Sequence, residues 1–383
     1  MSEVVLNDIC ELIVDCPHST AYDEGTGYPL VRTPNIGRGR LIYSGMHRVC
    51  EEVYNKRNAR AIPQTNDLIF AREATAGNVA LIQEGEKVCL GQRTVLIRPN
   101  ANLVNPAFLT YHLLAPEQQY KLLSTANGAT VAHVNMPTIR NLKLSLPPLA
   151  TQHRIATILS RYDSLIENYQ KQIKLLEEAA QRLYKEWFID LHFPGHENTN
   201  IIDGVPEGWE MKKVGEIAII SAGGDKPDVV TEEQTTECQV PIYSNGTTKE
   251  GLYGYTNKSS NTAGSITVSA RGSIGFACLR MHDYFSIVRL ISIKPQNNVD
   301  LMYLFQFTKV HTFMSNGAAQ QQLTVPMVKA IDVVYPAESL LEAFENVVLP
   351  LYKKVQFLQS QIRLLTEARD RLLPKLMSGE IAI

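Results

Sequence analysis

Nowhere in the sequence do about 18 uncharged apolar residues follow one another, so no segment is expected to span a bilayer. The start, Met1-Ser2-Glu3-Val4, lacks the basic-then-apolar order of a signal peptide. The six cysteines (Cys10, Cys16, Cys50, Cys89, Cys238, Cys278) are scattered and include no CxxC pair. That spacing argues against a structural zinc site and against a disulfide framework, and makes the reducing cytoplasm the expected location. No Gly-Lys dipeptide occurs, which removes the phosphate-cradling loop that depends on its lysine. GxSxG, HExxH and GxGxxG are absent as well. Strong charge is also missing. The formal net charge over 383 residues is −2. Residues 1–147 carry 14 Lys/Arg against 13 Asp/Glu, and residues 191–337 carry 11 against 14. A free-standing polyanion binder needs more than this. If nucleic acid is the ligand, the phosphate attraction must come from local patches or from a partner.

Two short motifs come near to chemistry and fall short. Asn105-Pro106-Ala107-Phe108 resembles the Asn-Pro-Pro-Phe/Tyr motif with which amino-methyltransferases hold a flipped base. It has Ala at the third position, and no glycine-rich cofactor loop precedes it, so it reads as a helix N-terminus. Glu210-Met211-Lys212 has the look of half a nuclease site, with no acidic partner placed for it. His18, His47, His133 and His282 are dispersed and read as surface or loop residues. No catalytic residue, metal or cofactor is expected in this chain.

What the sequence does contain is a long internal repeat. Asn127-Gly128-Ala129, then Pro137-Thr138-Ile139-Arg140 and Pro147, recur as Asn316-Gly317-Ala318, Pro326-Met327-Val328-Lys329 and Pro336, always 189 residues on. The register continues without a gap, from Gln172-Ile173-Lys174-Leu175-Leu176 to Gln361-Ile362-Arg363-Leu364-Leu365. Upstream it drifts to 195 or 196, where Arg93, Arg98 and Pro99 meet Arg289, Lys294 and Pro295. A period so long makes each copy a whole domain with its own core. Four segments follow: a globular domain over 1–148, a helix over 149–190, a second globular domain over 191–337, and a C-terminal helical segment over 338–383 whose helix ends at Pro374 and Gly379.

Both helices carry a seven-residue stripe. In the first it is Ile155, Tyr162, Tyr169, Leu176 and Leu183, with Ile158, Leu165 and Ala179 between; in the second it is Phe344, Leu351, Leu358, Leu365 and Leu372, with Val347 and Ala368 between. Sustained heptads predict coiled-coil packing of the two against each other, with core helices of a compact domain as the competing reading. Each helix, at about 38 residues, is roughly 57 Å long at 1.5 Å per residue. The globular domains show a different period. Segments 67–70, 79–82, 94–97, 265–268 and 290–293 are short, β-branched and bounded by Gly, Asn and Pro, and read as strands. Helices are expected at 106–124 and 300–314. Each domain is therefore α+β with a strand-rich core.

Basic and polar loops are what base edges and phosphates require. Asn35-Ile36-Gly37-Arg38-Gly39-Arg40 reads as a flexible basic loop carrying Arg38 and Arg40, with Arg72 and Arg93 on two further loops. In the second domain the candidates are Ser244, Asn245, Lys249, Tyr253 and Lys258, and Arg271 in a loop placed like that of Arg72. A solvated turn is the competing reading for each, and Arg93 and Arg289 suit a structural role equally well.

The passage Leu146-Pro147-Pro148-Leu149-Ala150-Thr151-Gln152-His153-Arg154-Ile155, the opening Val205-Pro206-Glu207-Gly208-Trp209-Glu210, and the C-terminal Arg371-Leu372-Leu373-Pro374-Lys375-Leu376-Met377-Ser378-Gly379-Glu380-Ile381 resemble the specificity subunit of type I restriction-modification systems. The resemblance spans essentially the whole chain. It implies two strand-rich target-recognition domains separated by two long antiparallel coiled-coil helices with pseudo-twofold symmetry, each domain reading one half of an asymmetric, bipartite double-stranded DNA site. It implies two methyltransferase subunits as partners, and a place for restriction (translocase and nuclease) subunits. S-adenosylmethionine, ATP and Mg are then expected on those partners, none in this chain, which supplies address rather than chemistry. Two readings compete with this. One is a coiled-coil scaffold that bridges two protein partners without reading DNA. The other is a self-contained methyltransferase or nuclease, against which the missing motifs argue.

Overall fold

Strand for strand, the backbone is written twice in the computed structural model, which describes residues 2–124, 133–313 and 322–383. The matched triplets at 127–129 and 316–318 lie outside the described residues. The first copy has strands β1 (Ser2–Val5), β2 (Cys10–Asp15), β3 (Tyr28–Val31), β4 (His47–Val49), β5 (Leu68–Ala71), β6 (Val79–Leu81), β7 (Cys89–Leu90), β8 (Thr94–Pro99) and β9 (Lys143–Leu146). Its helices are α1 (Glu51–Arg57), α2 (Pro106–Leu114), α3 (Pro116–Ser124) and α4 (Met136–Arg140), and the long α5 (Leu149–Tyr184) follows. A two-stranded link, β10 (Ile201–Ile202) with β11 (Val205–Pro206), leads to the second copy. That copy has β12 (Glu210–Lys213), β13 (Ala218–Ala222), β14 (Val240–Tyr243), β15 (Leu252–Thr256), β16 (Ser265–Ser269), β17 (Ala277–Arg280), β18 (Phe285–Ser286), β19 (Leu290–Pro295) and β20 (Asp332–Tyr335). Helices α6 (Val214–Ile217), α7 (Leu301–Val310) and α8 (Val325–Lys329) belong to it, and the long α9 (Glu338–Ser378) closes the chain.

Three sheets repeat in the same order. A four-stranded antiparallel sheet runs β2-β8-β5-β6 in the first copy and β13-β19-β16-β17 in the second. A three-stranded sheet runs β4-β3-β7 and β15-β14-β18, with one parallel pair in each. A two-stranded sheet pairs β1 with β9 and β12 with β20, so each copy's first strand is tied to its last. The register agrees too. Leu68 faces Ile97 where Ile266 faces Ile293. Between β9 and β20, and between α4 and α8, the spacing is the 189 residues seen in the sequence. The drift upstream has a structural cause: α1, which links β4 to β5, has no counterpart between β15 and β16. Strand segments predicted from β-branched alternation lie where expected. The helix expected over 106–124 is instead broken at Ala115, because Pro116 cannot continue the hydrogen-bond ladder of the preceding turn.

The chain forms two compact units, Met1–Gln170 with Gln359–Ile383, and Lys171–Leu358. Each long helix is divided between them, so the units cut across the helices rather than falling at their ends. In the first unit the core joins Leu6, Leu68, Phe70, Val95, Phe108 and Leu144 to Ile155 and Leu159 of α5 and to Leu373 and Leu376 of α9. In the second it joins Ile266, Ile291, Met302, Leu304 and Val333 to Ala180 and Tyr184 of α5 and to Phe344, Val348 and Tyr352 of α9. Early α5 thus meets late α9 in one unit, and late α5 meets early α9 in the other, as opposed chain directions require.

The stripe residues Ile155, Tyr162, Tyr169, Leu176, Leu183, Phe344, Leu351, Leu358, Leu365 and Leu372 are all buried or half-buried, but their expected companions are not. Leu165 is 44% exposed and Val347 49%, whereas Leu159, Ala180 and Val348 are fully buried. The second ladder therefore sits four residues after the stripe, not three: Leu159, Ile166, Ile173 and Ala180 in α5, and Val348, Val355, Ile362, Arg369 and Leu376 in α9. On a helix, i+3 and i+4 flank residue i on opposite sides, and only the position of the partner decides which side is covered. Pro374 does not end α9, which runs to Ser378 and stops where Gly379 takes a left-handed φ of +78°. The proline's lost hydrogen bond is offset by Leu373 and Leu376, both buried in the first unit's core.

One polar joint interrupts the first unit's apolar packing. Asp163 on α5 accepts from Tyr111 Oη of α2 at 2.5 Å and from Arg369 of α9 at 2.6 Å, and is itself 3% exposed. At the matching positions, 195 or 189 residues away, the second unit has a neutral version: Gln306 Nε2 donates to Tyr352 Oη at 3.0 Å, and Ala180 stands for Arg369.

Candidate nucleic-acid interface

In each copy, one loop follows the central strand β5 or β16. Its base is built alike, because Val134 N donates to Arg72 O and Leu323 N to Ala270 O, both at 3.0 Å. Gly77 N likewise donates to Ala71 O, and Gly275 N to Ser269 O. The Arg271 loop does occupy the place of the Arg72 loop, but this geometry aligns Arg72 with Ala270 and Arg271 with Glu73. The two arginines are not equivalent.

Arg72 faces inward. It is 7% exposed, its Nη1 donates to both carboxylate oxygens of Asp15 at 2.9 and 2.8 Å, and its Nε donates to Val134 O. Its Nη2 lies 2.9 Å from His133 Nε2. Arginine has only donors, so Nε2 accepts, and Nδ1 donates to Glu73 at 2.7 Å. Glu73 in turn pairs with Arg93 at 2.9 Å. Charge alternates along Asp15, Arg72, Glu73 and Arg93, and the network neutralises itself. Arg93 holds a left-handed φ of +66° at the turn into β8, a conformation that costs about 1 kcal/mol in a residue with a Cβ.

The stretch around Arg38 and Arg40 is not a flexible loop. Gly37 N donates to Arg40 O, Gly39 N to Val79 O, and Leu81 N to Gly39 O, which makes it a tight turn bound to β6. Arg40 pairs with Glu167 of α5 at 2.6 Å. Arg38, although exposed, donates to Leu114 O at the end of α2. Both guanidinium groups thus fasten the turn to helices of their own unit.

The second copy presents its candidates differently. Asn245 accepts from Ala270 N at 2.8 Å and so positions the Arg271 loop, while Ser244 N donates to Gly251 O across the neighbouring turn. Lys249 is exposed at the tip of that turn with φ +47°. Lys226 lies over the Tyr253 ring, 4.4 Å from its centroid, and also donates to the Tyr253 hydroxyl. Lys258 pairs with Asp228 at 3.5 Å on the surface. Arg271 and Arg289 converge on one amide oxygen, that of Gln322. Asn245, Arg271 and Arg289 therefore stand together, whereas Lys258 is tied elsewhere.

Two residues invisible to sequence reasoning organise this surface. Arg280 is 1% exposed, stacks 3.6 Å above the Tyr243 ring, and donates to Thr267 Oγ1 and to Glu250 O. It fixes the turn that carries Lys249. Burial, with the charge of Arg280 second, pushes His282 below its ordinary pKa. Gln322 is the other. The near-miss motifs resolve plainly: Asn105 caps α2 by accepting from Phe108 N at 2.9 Å, and Glu210-Met211-Lys212 is strand β12, paired to β20. Among the described residues, no group of three or more His, Cys, Asp or Glu could hold a metal ion, and no helix is long and apolar enough to cross a membrane.

The family model described as the type I restriction modification DNA specificity domain matches residues 1–178 and 206–339, one match on each copy. The MjaIX type I restriction enzyme specificity subunit of Methanocaldococcus jannaschii is 25% identical, over 99% of this chain and 93% of its own length. The HindI specificity subunit of Haemophilus influenzae is 22% identical, over 75% of this chain and 80% of its own length. The crystal structure of the type I restriction-modification system S subunit from M. genitalium superposes with a TM-score of 0.62 at 18% identity, covering 98% of this chain and 95% of that one, which shows a shared fold. A chain that carries this domain twice, on matching sheets and across most of its length, belongs to the type I restriction-modification DNA specificity family.

Proposed function

We propose that this chain is the DNA-reading subunit of a type I restriction-modification complex, that its target is an asymmetric bipartite site, and that it directs methyltransferase and restriction subunits to that site without catalysing a reaction itself. The observation that carries the reading is sameness of frame with difference of surface. The two copies share sheet order and register, while the equivalent loops after β5 and β16 carry opposite charges at Glu73 and Arg271. Two unlike surfaces on like frames read two unlike half-sites. The repeated frame and the long helices offer two equivalent seats for two copies of one partner. S-adenosylmethionine, ATP and Mg belong, in this reading, to the methyltransferase and restriction subunits. The cytoplasm, where genomic DNA and such partners meet, is the location it requires.

The test is methylation mapping in a host with and without the gene. The expected result is modified adenine within a split site whose halves differ. A continuous or palindromic modified site would overturn the reading.

A further inference from the structure

Arg271 and Arg289 come from separate elements, one on the loop after β16 and one just before β19, yet they meet at a single neutral acceptor. Gln322 Oε1 lies 3.2 Å from Arg271 Nε, 2.9 Å from Arg271 Nη2 and 2.6 Å from Arg289 Nη1. An amide oxygen has two lone pairs, so three donors from two cations over-subscribe it. No carboxylate of a described residue pairs with either arginine, and residues 314–321 contain no Asp or Glu. Arg289 is exposed and Arg271 half-buried, so the remaining N–H groups open to solvent. At the same place in the first copy, Glu73 stands for Arg271 and His133 for Gln322, and Glu73 closes on Arg93 at 2.9 Å. One copy cancels its charge internally, and the other holds two like charges together with no counter-ion of its own.

The geometry points to a phosphate-binding site in the second copy, in which Arg271 and Arg289 clamp one backbone phosphate group of the bound DNA and Gln322 sets their spacing. This deepens the DNA-reading proposal and rests on it. A guanidinium pair offers planar, forked donors that match phosphate oxygens. The site positions the duplex and reads no base. The first copy has no equivalent anchor, so the electrostatic hold on the two half-sites is unequal.

The experiment uses the full chain, purified with its methyltransferase partner, and a duplex carrying the mapped site. Affinity is measured against salt concentration. For Arg271→Gln with Arg289→Gln, the log–log salt slope is expected to become shallower by about one to two, with base preference in both half-sites unchanged. Gln322→Glu, which imports a carboxylate like that of the first copy, is expected to do the same. Glu73→Gln, which releases Arg93, is expected to steepen the slope by up to about one. Arg271→Lys with Arg289→Lys keeps both charges and is expected to keep most of the slope. Equal loss with Lys and with Gln would make the pair structural and overturn the assignment, as would an unchanged slope in the Gln variants while the target is still retained. Displacement of the DNA-independent signal by millimolar inorganic phosphate, with no change of slope, would make it a small-anion site and likewise overturn it. Failure of the unaltered complex to retain the mapped duplex over a scrambled one would overturn the DNA-reading proposal along with this one.

Discussion

Glu345 shows how far a side chain's surroundings decide its chemistry. It lies on α9, 9% exposed, and accepts from Met302 N at the start of α7 at 2.9 Å. Burial is the main cause that lifts its carboxyl from 4.5 to about 6, against the pull of that N–H. A carboxylate whose folded pKa is raised binds its proton more tightly when folded, so the stabilisation is complete below about 4.5 and is lost as pH rises through about 6. Denaturation of the second unit is therefore expected to become easier from pH 5 to 7.5, by on the order of 1 kcal/mol after allowance for solvent screening. Glu345→Gln should flatten that dependence and raise the midpoint at pH 7.5, as followed by thermal melts at the two pH values. Arg72 and Arg271 make the same point without titration. Both were legible as loop arginines, but Asp15 lies 57 residues from Arg72 in the chain, and only the fold reveals that the carboxylate is its partner.

At the scale of elements, periodicity spoke clearly and stopped one step short. The stripe from Ile155 to Leu183 and that from Phe344 to Leu372 were legible because a buried helix face must recur near every third or fourth residue. The side of the stripe that is covered was not, since Leu165 and Leu159 are equally apolar letters. The difference is measurable. Leu159→Ala, at a fully buried site packed into the first unit's core, is expected to cost about 2–5 kcal/mol. Leu165→Ala, at a half-exposed site, should cost less than about 0.5 kcal/mol. Urea titration of the two variants checks this, and equal losses would restore the three-residue spacing. Proline carried less information than its reputation suggests: Pro116 breaks a helix, whereas Pro350 and Pro374 lie within α9.

At the scale of the whole molecule, the duplication carries the consequence. If each strand-rich copy reads its own half-site, a chain whose first copy is replaced by the strands and loops of the second, with both long helices kept, should direct methylation to an inverted repeat of one half-site. Mapping of modified adenines in a host carrying that chimaera checks it. An unchanged asymmetric target would show that the recognition surfaces are not confined to the copies.

The amino-acid order by itself determined that there are two copies, where their strands begin, and that two long amphipathic helices follow them, because these are properties of local period and of repetition along the chain. It could not determine which arginines face outward, which side of each helix stripe is covered, or that Asp163, Tyr111 and Arg369 meet. Those depend on pairs separated by 52 and 206 residues, and a contact over such separation exists only once the chain has closed upon itself. The tertiary structure also decided that two loops in the same place differ in kind. In one, a glutamate completes the charge balance; in the other, two arginines share a single oxygen.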